Sequence, residues 1–309
     1  MGLSLTTLAS ASDNLRGVLA MLAAVASFVA SDTMVKYAGQ ELPVGELIFL
    51  RALFASFITL SVAHIAGALK PLRQALTPVM AMRTLGEIGA TMLYFAALVR
   101  MSFADANAIG QFAPLAVTAG AAIFLSEPVG WRRWLAASVG LAGVIIIIRP
   151  GTSAFHWVGL LVVGSVMCVA MRDLATRRID RSLPTLLITA VSTVSVSISG
   201  LFLLPFENWL IPRAGTTLLL AGAAVCIFSG YFFIIKSMRQ GEIGVVAPFR
   251  YSASLFAVVS GYLVFGEVPD TITMLGITII VAAGIYTLHR ERMRLNKAPA
   301  KVSLCPKRQ

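Results

Sequence analysis

The chain is built around a recurrence. Apolar stretches about twenty residues long follow one another ten times, near 16–37, 43–66, 78–99, 104–125, 130–148, 155–174, 183–204, 215–236, 242–265 and 270–288. A helix rises about 1.5 Å per residue, so about 20 apolar residues cross a hydrocarbon layer roughly 30 Å thick. The connections are short and carry turn or charge signals, among them Lys70-Pro71, Arg149-Pro150-Gly151 and Pro269-Asp270, and no soluble domain fits between them. The predicted fold class is therefore an all-α membrane protein with ten transmembrane helices. Composition agrees: only 13% of residues are charged and 58% are apolar, whereas an ordinary soluble domain is about 25% charged.

The formal net charge of +11 invites a nucleic-acid reading. The position of the basic residues argues against it, because they flank apolar runs and form no single face. With both termini in the cytoplasm, 19 of the 25 lysines and arginines fall on the cytoplasmic side, including Lys70, Arg73, Arg132, Arg177, Arg178 and Arg181. Only Lys36, Arg100, Arg149 and Arg213 fall on the other. This positive-inside asymmetry predicts a multi-pass protein of the cell inner membrane. Asp13 and Arg16 precede an apolar run long enough to span, which reads as the first membrane helix and not as a cleaved leader. Residues 291–309 form a basic cytoplasmic tail, expected to be mobile.

The two halves of the chain resemble each other. Asp32, Lys36 and Leu42-Pro43 recur 141 residues later as Asp173, Arg177 and Leu183-Pro184. Tyr94-Phe95, Met101, Asp105 and Phe112 recur 137 residues later as Tyr231-Phe232, Met238, Glu242 and Phe249. Glu127-Pro128 is echoed by Glu267-Val268-Pro269. The predicted repeats are 16–150 and 151–290, each of five helices. Five is odd, so the second repeat must enter the membrane upside down, which is an architecture of secondary transporters with their binding site at the repeat interface.

The stretch Ser126-Glu127-Pro128-Val129-Gly130-Trp131, then Gly140, Gly143-Val144 and Arg149-Pro150-Gly151, resembles the first repeat of the EamA-type family in the drug/metabolite transporter superfamily. Pro248-Phe249-Arg250-Tyr251 and Phe265-Gly266-Glu267 resemble its second repeat. The resemblance covers about residues 15–290. It implies ten helices, a central cavity and transport of small organic solutes without ATP hydrolysis. Asp13-Asn14-Leu15-Arg16-Gly17 and Phe49-Leu50-Arg51 resemble a subgroup similar to riboflavin importers.

Charges inside the bilayer carry the functional information, because each costs a few kcal/mol to insert. Arg51, Glu87 and Arg250 fall within apolar runs. They are expected to face a watery cavity and touch a polar solute or a coupling proton; the alternative is an internal ion pair of Arg51 with Glu46 or Glu87. Glu46 and Arg83 read as interface charges that snorkel. Asp32 and Asp173, present in both halves, suggest structural pairing with Lys36 and Arg177. Asn107 and Gln111 are four apart, share a helix face and precede Pro114. Pro248, Arg250 and Tyr251 lie in the matching run of the second half. The paired prolines make the fourth and ninth helices the expected cavity-lining pair, although prolines also kink membrane helices for packing alone. Tyr94, Tyr231 and Tyr251 are candidate stacking partners for a flat ring, or ordinary packing aromatics. The expected substrate-binding set is thus Arg51, Glu87, Tyr94, Asn107, Gln111, Tyr231, Arg250 and Tyr251.

There is no Walker A sequence, GxSxG or HExxH, so neither an ATPase nor one of the common hydrolases is indicated. Cys168, Cys226 and Cys305 are too far apart for a metal site or disulfide framework. His64, His156 and His289 sit at helix ends, where they are solvated. No cofactor or metal is expected and no enzymatic activity. Gly86-x-x-Gly89, Gly140-x-x-Gly143 and Ser192, Ser195 and Ser199 read as helix-packing faces, one of which could serve a homodimer. The expected partners are the lipid bilayer and a small-molecule substrate. The predicted function is secondary transport of a small polar metabolite, with riboflavin uptake first and export of amino acids or other metabolites as the alternative. A membrane-embedded enzyme or an assembly scaffold fits less well, because the loops offer neither paired catalytic groups nor a docking surface.

Overall fold

A computed structural model describes residues 5–69, 77–124, 131–150, 157–180, 182–240 and 246–297. Lys70, Arg73, Ser126–Gly130 with Glu127 among them, Gly151, His156, Arg181, Glu242 and Cys305 lie outside the described residues. Among the described residues the secondary structure is entirely helical. The helices are α1 (Leu5–Ala38), α2 (Val44–Ile65), α3 (Pro78–Leu98), α4 (Phe103–Gly110), α5 (Ala113–Phe124), α6 (Trp131–Ile148), α7 (Gly159–Arg178), α8 (Thr185–Leu201), α9 (Ala214–Gln240), α10 (Ser252–Phe265) and α11 (Thr271–Lys297).

Local chemistry sets the ends. Thr77 caps α3 by accepting from the Met80 N–H at 3.2 Å, with Pro78 in the first turn. Ser102 caps α4 and Asp270 caps α11, the latter accepting from the Thr273 N–H at 2.9 Å. α10 ends at Gly266, whose φ of 67° lets the Glu267 N–H return to the Gly261 carbonyl at 3.0 Å. The fourth apolar run is broken into α4 and α5 just before Pro114, whose ring nitrogen has no proton to give the preceding turn. In the ninth run, Ala247–Tyr251 is a 3₁₀ turn around Pro248 that leads into α10. α11 continues helical to Lys297, into the segment expected to be a mobile tail.

Six helical units are long and apolar enough to cross a membrane: residues 13–38, 44–65, 103–124, 159–178, 185–206 and 214–237. Trp134–Ile148 and Thr271–Thr287 are shorter apolar helices. α3, which carries Arg83 and Glu87, and α10 are in neither group.

Packing exchanges partners between the halves. α1 lies on α9 and α3 on α7; α2 pairs with α8, α4 with α10 and α6 with α11. Under the repeat, α1 corresponds to α7 and α3 to α9, so the first two contacts are one contact seen twice. The pairs α2 with α8 and α6 with α11 join an element to its own counterpart, and α4 with α10 joins the fourth run to the ninth. Wherever direction can be read, the partners are antiparallel. Met34 lies against Gly222, whereas Gly17, earlier in α1, accepts from Ser237, later in α9. The Ala90 carbonyl accepts from Ser165 and Gly86 meets Cys168 and Arg172. Gly45 faces Leu203, and the Phe49 carbonyl accepts from Ser197. Small residues permit this closeness: a Cβ on Gly200 would stand 2.7 Å from the Phe49 nitrogen and 2.8 Å from the Gly45 carbonyl oxygen.

Candidate functional site

Four helices, two from each half, surround a cavity of about 600 Å³. α2 contributes Arg51, Ala52, Ala55, Thr59 and Val62; α3 contributes Arg83, Glu87 and Thr91. α8 contributes Thr185, Leu186, Thr189, Ser192, Thr193 and Val196, and α9 contributes Ala224, Ile227, Phe228, Tyr231, Phe232 and Ile235. Its charged groups, Arg51, Arg83 and Glu87, stand among largely apolar neighbours.

The cavity is one-sided. Its lining continues to Thr185, the first residue of α8, and to Val62, three residues from the end of α2. At the other end the same helices touch through Gly45 and Gly200. That closed end is fastened by carboxylates. The Gly45 N–H donates to Glu207 at 2.8 Å, the Leu210 N–H to Glu46 at 3.0 Å and the Thr216 hydroxyl to Glu41 at 2.7 Å. Lys36, buried in α1, donates to Glu267 at 2.5 Å and to the Met101 carbonyl at 2.8 Å. The second Glu267 oxygen accepts the Phe103 N–H at 2.7 Å. One carboxylate therefore ties α1, the start of α4 and the end of α10 together.

Charges within the cavity differ in their commitments. Glu87 accepts from Arg172 of α7 at 3.2 Å and pairs with Arg83 at 3.8 Å. Arg83 also donates to Thr176 at 3.0 Å and to Ser192, and Arg172 to Asp173 at 2.9 Å. Arg51 has none of this. Its side chain is buried, its guanidinium stands 4.9 Å over the Phe95 ring, and its Nε has no hydrogen-bond partner.

Of the residues predicted from sequence, Arg51, Glu87 and Tyr231 come together on the cavity wall. Tyr94, Asn107 and Gln111 are not among the residues of that wall, Asn107 being buried and the other two partly buried. Tyr94 donates to Asp32 at 3.2 Å, and Gln111 donates to Asn107 at 3.4 Å. Arg250 is exposed in the 3₁₀ turn, and Tyr251 is buried against Gly284 of α11; neither borders the cavity. The expected pairing of the fourth and ninth helices is seen as α4 packed on α10, with Phe103 and Phe265 6.3 Å apart, and their described residues are not among those bordering this cavity. Glu46 is buried and bonded to the Leu210 N–H, not snorkelling, and it is no partner of Arg51. Arg83 stands in the cavity. Lys36 turns to Glu267 instead of Asp32. Sequence reasoning pairs Lys36 with Asp32, takes Arg83 for a snorkelling interface charge and does not single out Arg172, because a positive charge near a helix end is read first as a topology signal.

Entirely helical secondary structure among the described residues, an internal duplication, and a largely apolar cavity carrying Arg51, Arg83 and Glu87 between the halves define a polytopic membrane protein of the solute-carrying class. The EamA-like transporter family model matches twice, over residues 15–149 and 156–288, and the chain belongs to that family. It is a multi-pass membrane transporter and not an enzyme. It is 25% identical over 288 residues to an S-adenosylmethionine uptake transporter of Rickettsia felis, a match covering 92% of this chain and 96% of the relative. It is 28% identical over 272 residues to a riboflavin transporter of Vibrio cholerae, covering 86% and 91%. A pseudopaline exporter of Pseudomonas aeruginosa is 27% identical over 279 residues, covering 87% and 94%. A crystal structure with 19% identity superposes with a TM-score of 0.64 over 92% of this chain and 99% of the other, which shows the shared fold.

Proposed function

We propose that the chain crosses the inner membrane ten times, with both termini in the cytoplasm, and takes up a flat-ringed polar metabolite by alternating access between its two inverted halves. One observation carries this reading: the cavity breaks the symmetry of the scaffold that encloses it. Under the offset of 141 residues, Gly45 corresponds to Leu186 and Gly200 to Thr59. Gly45 and Gly200 touch at the closed end, whereas Leu186 and Thr59 border the cavity. Exchange of these two arrangements closes one mouth and opens the other, with the binding groups staying near the centre. The open end is the end rich in Lys and Arg, so the state described faces the cytoplasm. Tyr231 and Phe228 offer aromatic faces to a ring. Riboflavin and S-adenosylmethionine, after which relatives are named, both carry such a ring.

Rescue of a riboflavin auxotroph at low external riboflavin, together with uptake of labelled S-adenosylmethionine into cells, tests the direction and the substrate class. Absence of both, with the protein shown to be in the membrane, favours the export reading that the pseudopaline relative supports. Cysteines at Val62 and Leu186 are expected to cross-link more readily when the cytoplasmic mouth closes. A cross-linking yield that never changes with substrate would rule out exchange of the two ends.

A further inference from the structure

We infer that Arg51 is the recognition site for a carboxylate on the transported molecule, so that the substrate is an anion or a zwitterion and not a neutral ring compound. This rests on the transporter reading above and specifies the chemistry of the same cavity. The argument begins with what Arg51 lacks. A guanidinium presents five N–H donors in a planar fork, and burying it without acceptors is costly. Arg51 is 9% exposed, and among the described residues it makes no hydrogen bond and no salt bridge. The acidic groups that could answer it are otherwise engaged. Glu87 is shared by Arg83 and Arg172. Glu46 faces the Leu210 N–H. Asp32 lies near enough to attract Arg51 but takes its hydrogen bond from Tyr94 and makes no ion pair.

Arg51 is nonetheless held in place. The Phe95 ring lies 4.9 Å beneath its guanidinium, and Phe95 is itself fully packed. Its position is the innermost that α2 contributes to the cavity, beyond which α2 and α8 close on each other at Gly45 and Gly200. A fixed, desolvated fork facing space at the inner end of a cavity matches the two oxygens of a carboxylate. A neutral carbonyl fills one donor and brings no charge to the guanidinium. The aromatic side chains of α9, Phe228 and Tyr231, border the same cavity, so a substrate with a ring at one end and a carboxylate at the other is accommodated along its length.

The test uses the full chain in proteoliposomes with three labelled probes: S-adenosylmethionine, its decarboxylated analogue and riboflavin. The wild type is expected to take up S-adenosylmethionine about tenfold or more faster than the decarboxylated analogue, a difference in keeping with one charged hydrogen-bonded contact. Arg51→Gln is expected to abolish that preference, and Arg51→Lys, which keeps the charge but not the fork, to restore part of it. Equal uptake of the two S-adenosyl probes by the wild type, or an unchanged preference in folded Arg51→Gln, overturns the assignment. Uptake of riboflavin alone overturns it too and leaves the transporter reading standing. Uptake of no probe by correctly inserted protein overturns the assignment together with the uptake reading and favours export.

Discussion

Removing Glu267 should loosen the closed end of the cavity, and the size of the effect follows from its contacts. One oxygen holds the ammonium of Lys36 at 2.5 Å and the other the Phe103 N–H at 2.7 Å. The Lys36 side chain is 8% exposed and that of Glu267 26%. Breaking a buried pair by deleting one partner costs about 3–5 kcal/mol, because the surviving charge stays buried. Partial exposure of Glu267 and the Met101 carbonyl that remains for Lys36 bring the expectation for Glu267→Gln to about 2–3 kcal/mol. For a chain of this length that corresponds to a fall of about 4–6 °C in the melting temperature. The test is a double-mutant cycle in detergent, with Glu267→Gln, Lys36→Met and the pair together. Removing both partners leaves no orphaned charge, so the double variant should recover most of the loss, with a coupling energy of about 1 kcal/mol or more. Additive losses from the two single variants would show that the pair does not fasten this end.

Three further outcomes are expected. Gly200→Val should prevent α2 and α8 from meeting, since even a Cβ there falls within 2.8 Å of the Phe49 nitrogen and Gly45 oxygen; the yield of monodisperse protein should drop sharply, and a normal yield would contradict the close approach. Glu87→Gln should destabilise the protein by about 1–3 kcal/mol, because Arg83 and Arg172 lose the carboxylate they share; an unchanged melting temperature would mean that the two arginines do not depend on it. At the closed end, the Arg149 guanidinium bonded to Asp270, with the Thr273 N–H, holds the Asp270 carboxyl well below the usual carboxylate range. A depressed carboxylate contributes stability that is present above its unfolded value near pH ~3.9 and is lost as pH falls through the folded value. Asp270→Asn should therefore lower the melting temperature at neutral pH, and the gap from wild type should shrink steadily below about pH 4; a gap independent of pH would exclude the ionised bridge.

The fold was legible because its signals are periodic and repeated. The apolar runs and the Asp32/Asp173 and Tyr94/Tyr231 correspondences depend on spacing along the chain. The site was legible only in part, because hydrophobicity and charge identify a residue as exceptional without saying which neighbour it meets. Arg51 and Glu87 stand out as charges within apolar runs, and both reach the cavity. Arg250 stands out equally and lies elsewhere, because the 3₁₀ turn at Pro248 turns that segment to the surface. Lys36 and Glu267 are 231 residues apart, and nothing local in either neighbourhood announces the other. Even the repeat, which pairs Glu267 with Glu127 and Lys36 with Arg177, relates each residue to its twin and not to its partner.

The symmetry is kept where the protein must move and lost where it must choose. The helix pairings are exchanged or self-related between the halves, so a single set of sliding contacts can serve both end states. The cavity positions also correspond: Ala52 with Thr193, Ala55 with Val196 and Thr91 with Phe228, all of them on the wall. Their charges do not. Arg51 corresponds to Ser192, Glu87 to Ala224 and Arg83 to Leu220, so every charged group on the wall comes from the first half. A second guanidinium at the position of Ser192 would face Arg83, which already donates to that hydroxyl. Three guanidiniums would then line the cavity with Glu87 as the carboxylate on its wall, at a cost that rises as water is excluded. A symmetric scaffold can therefore carry only one arginine of this kind facing empty space. On the proposed assignment of Arg51 to a substrate carboxylate, that residue would set the direction in which the substrate lies between the halves.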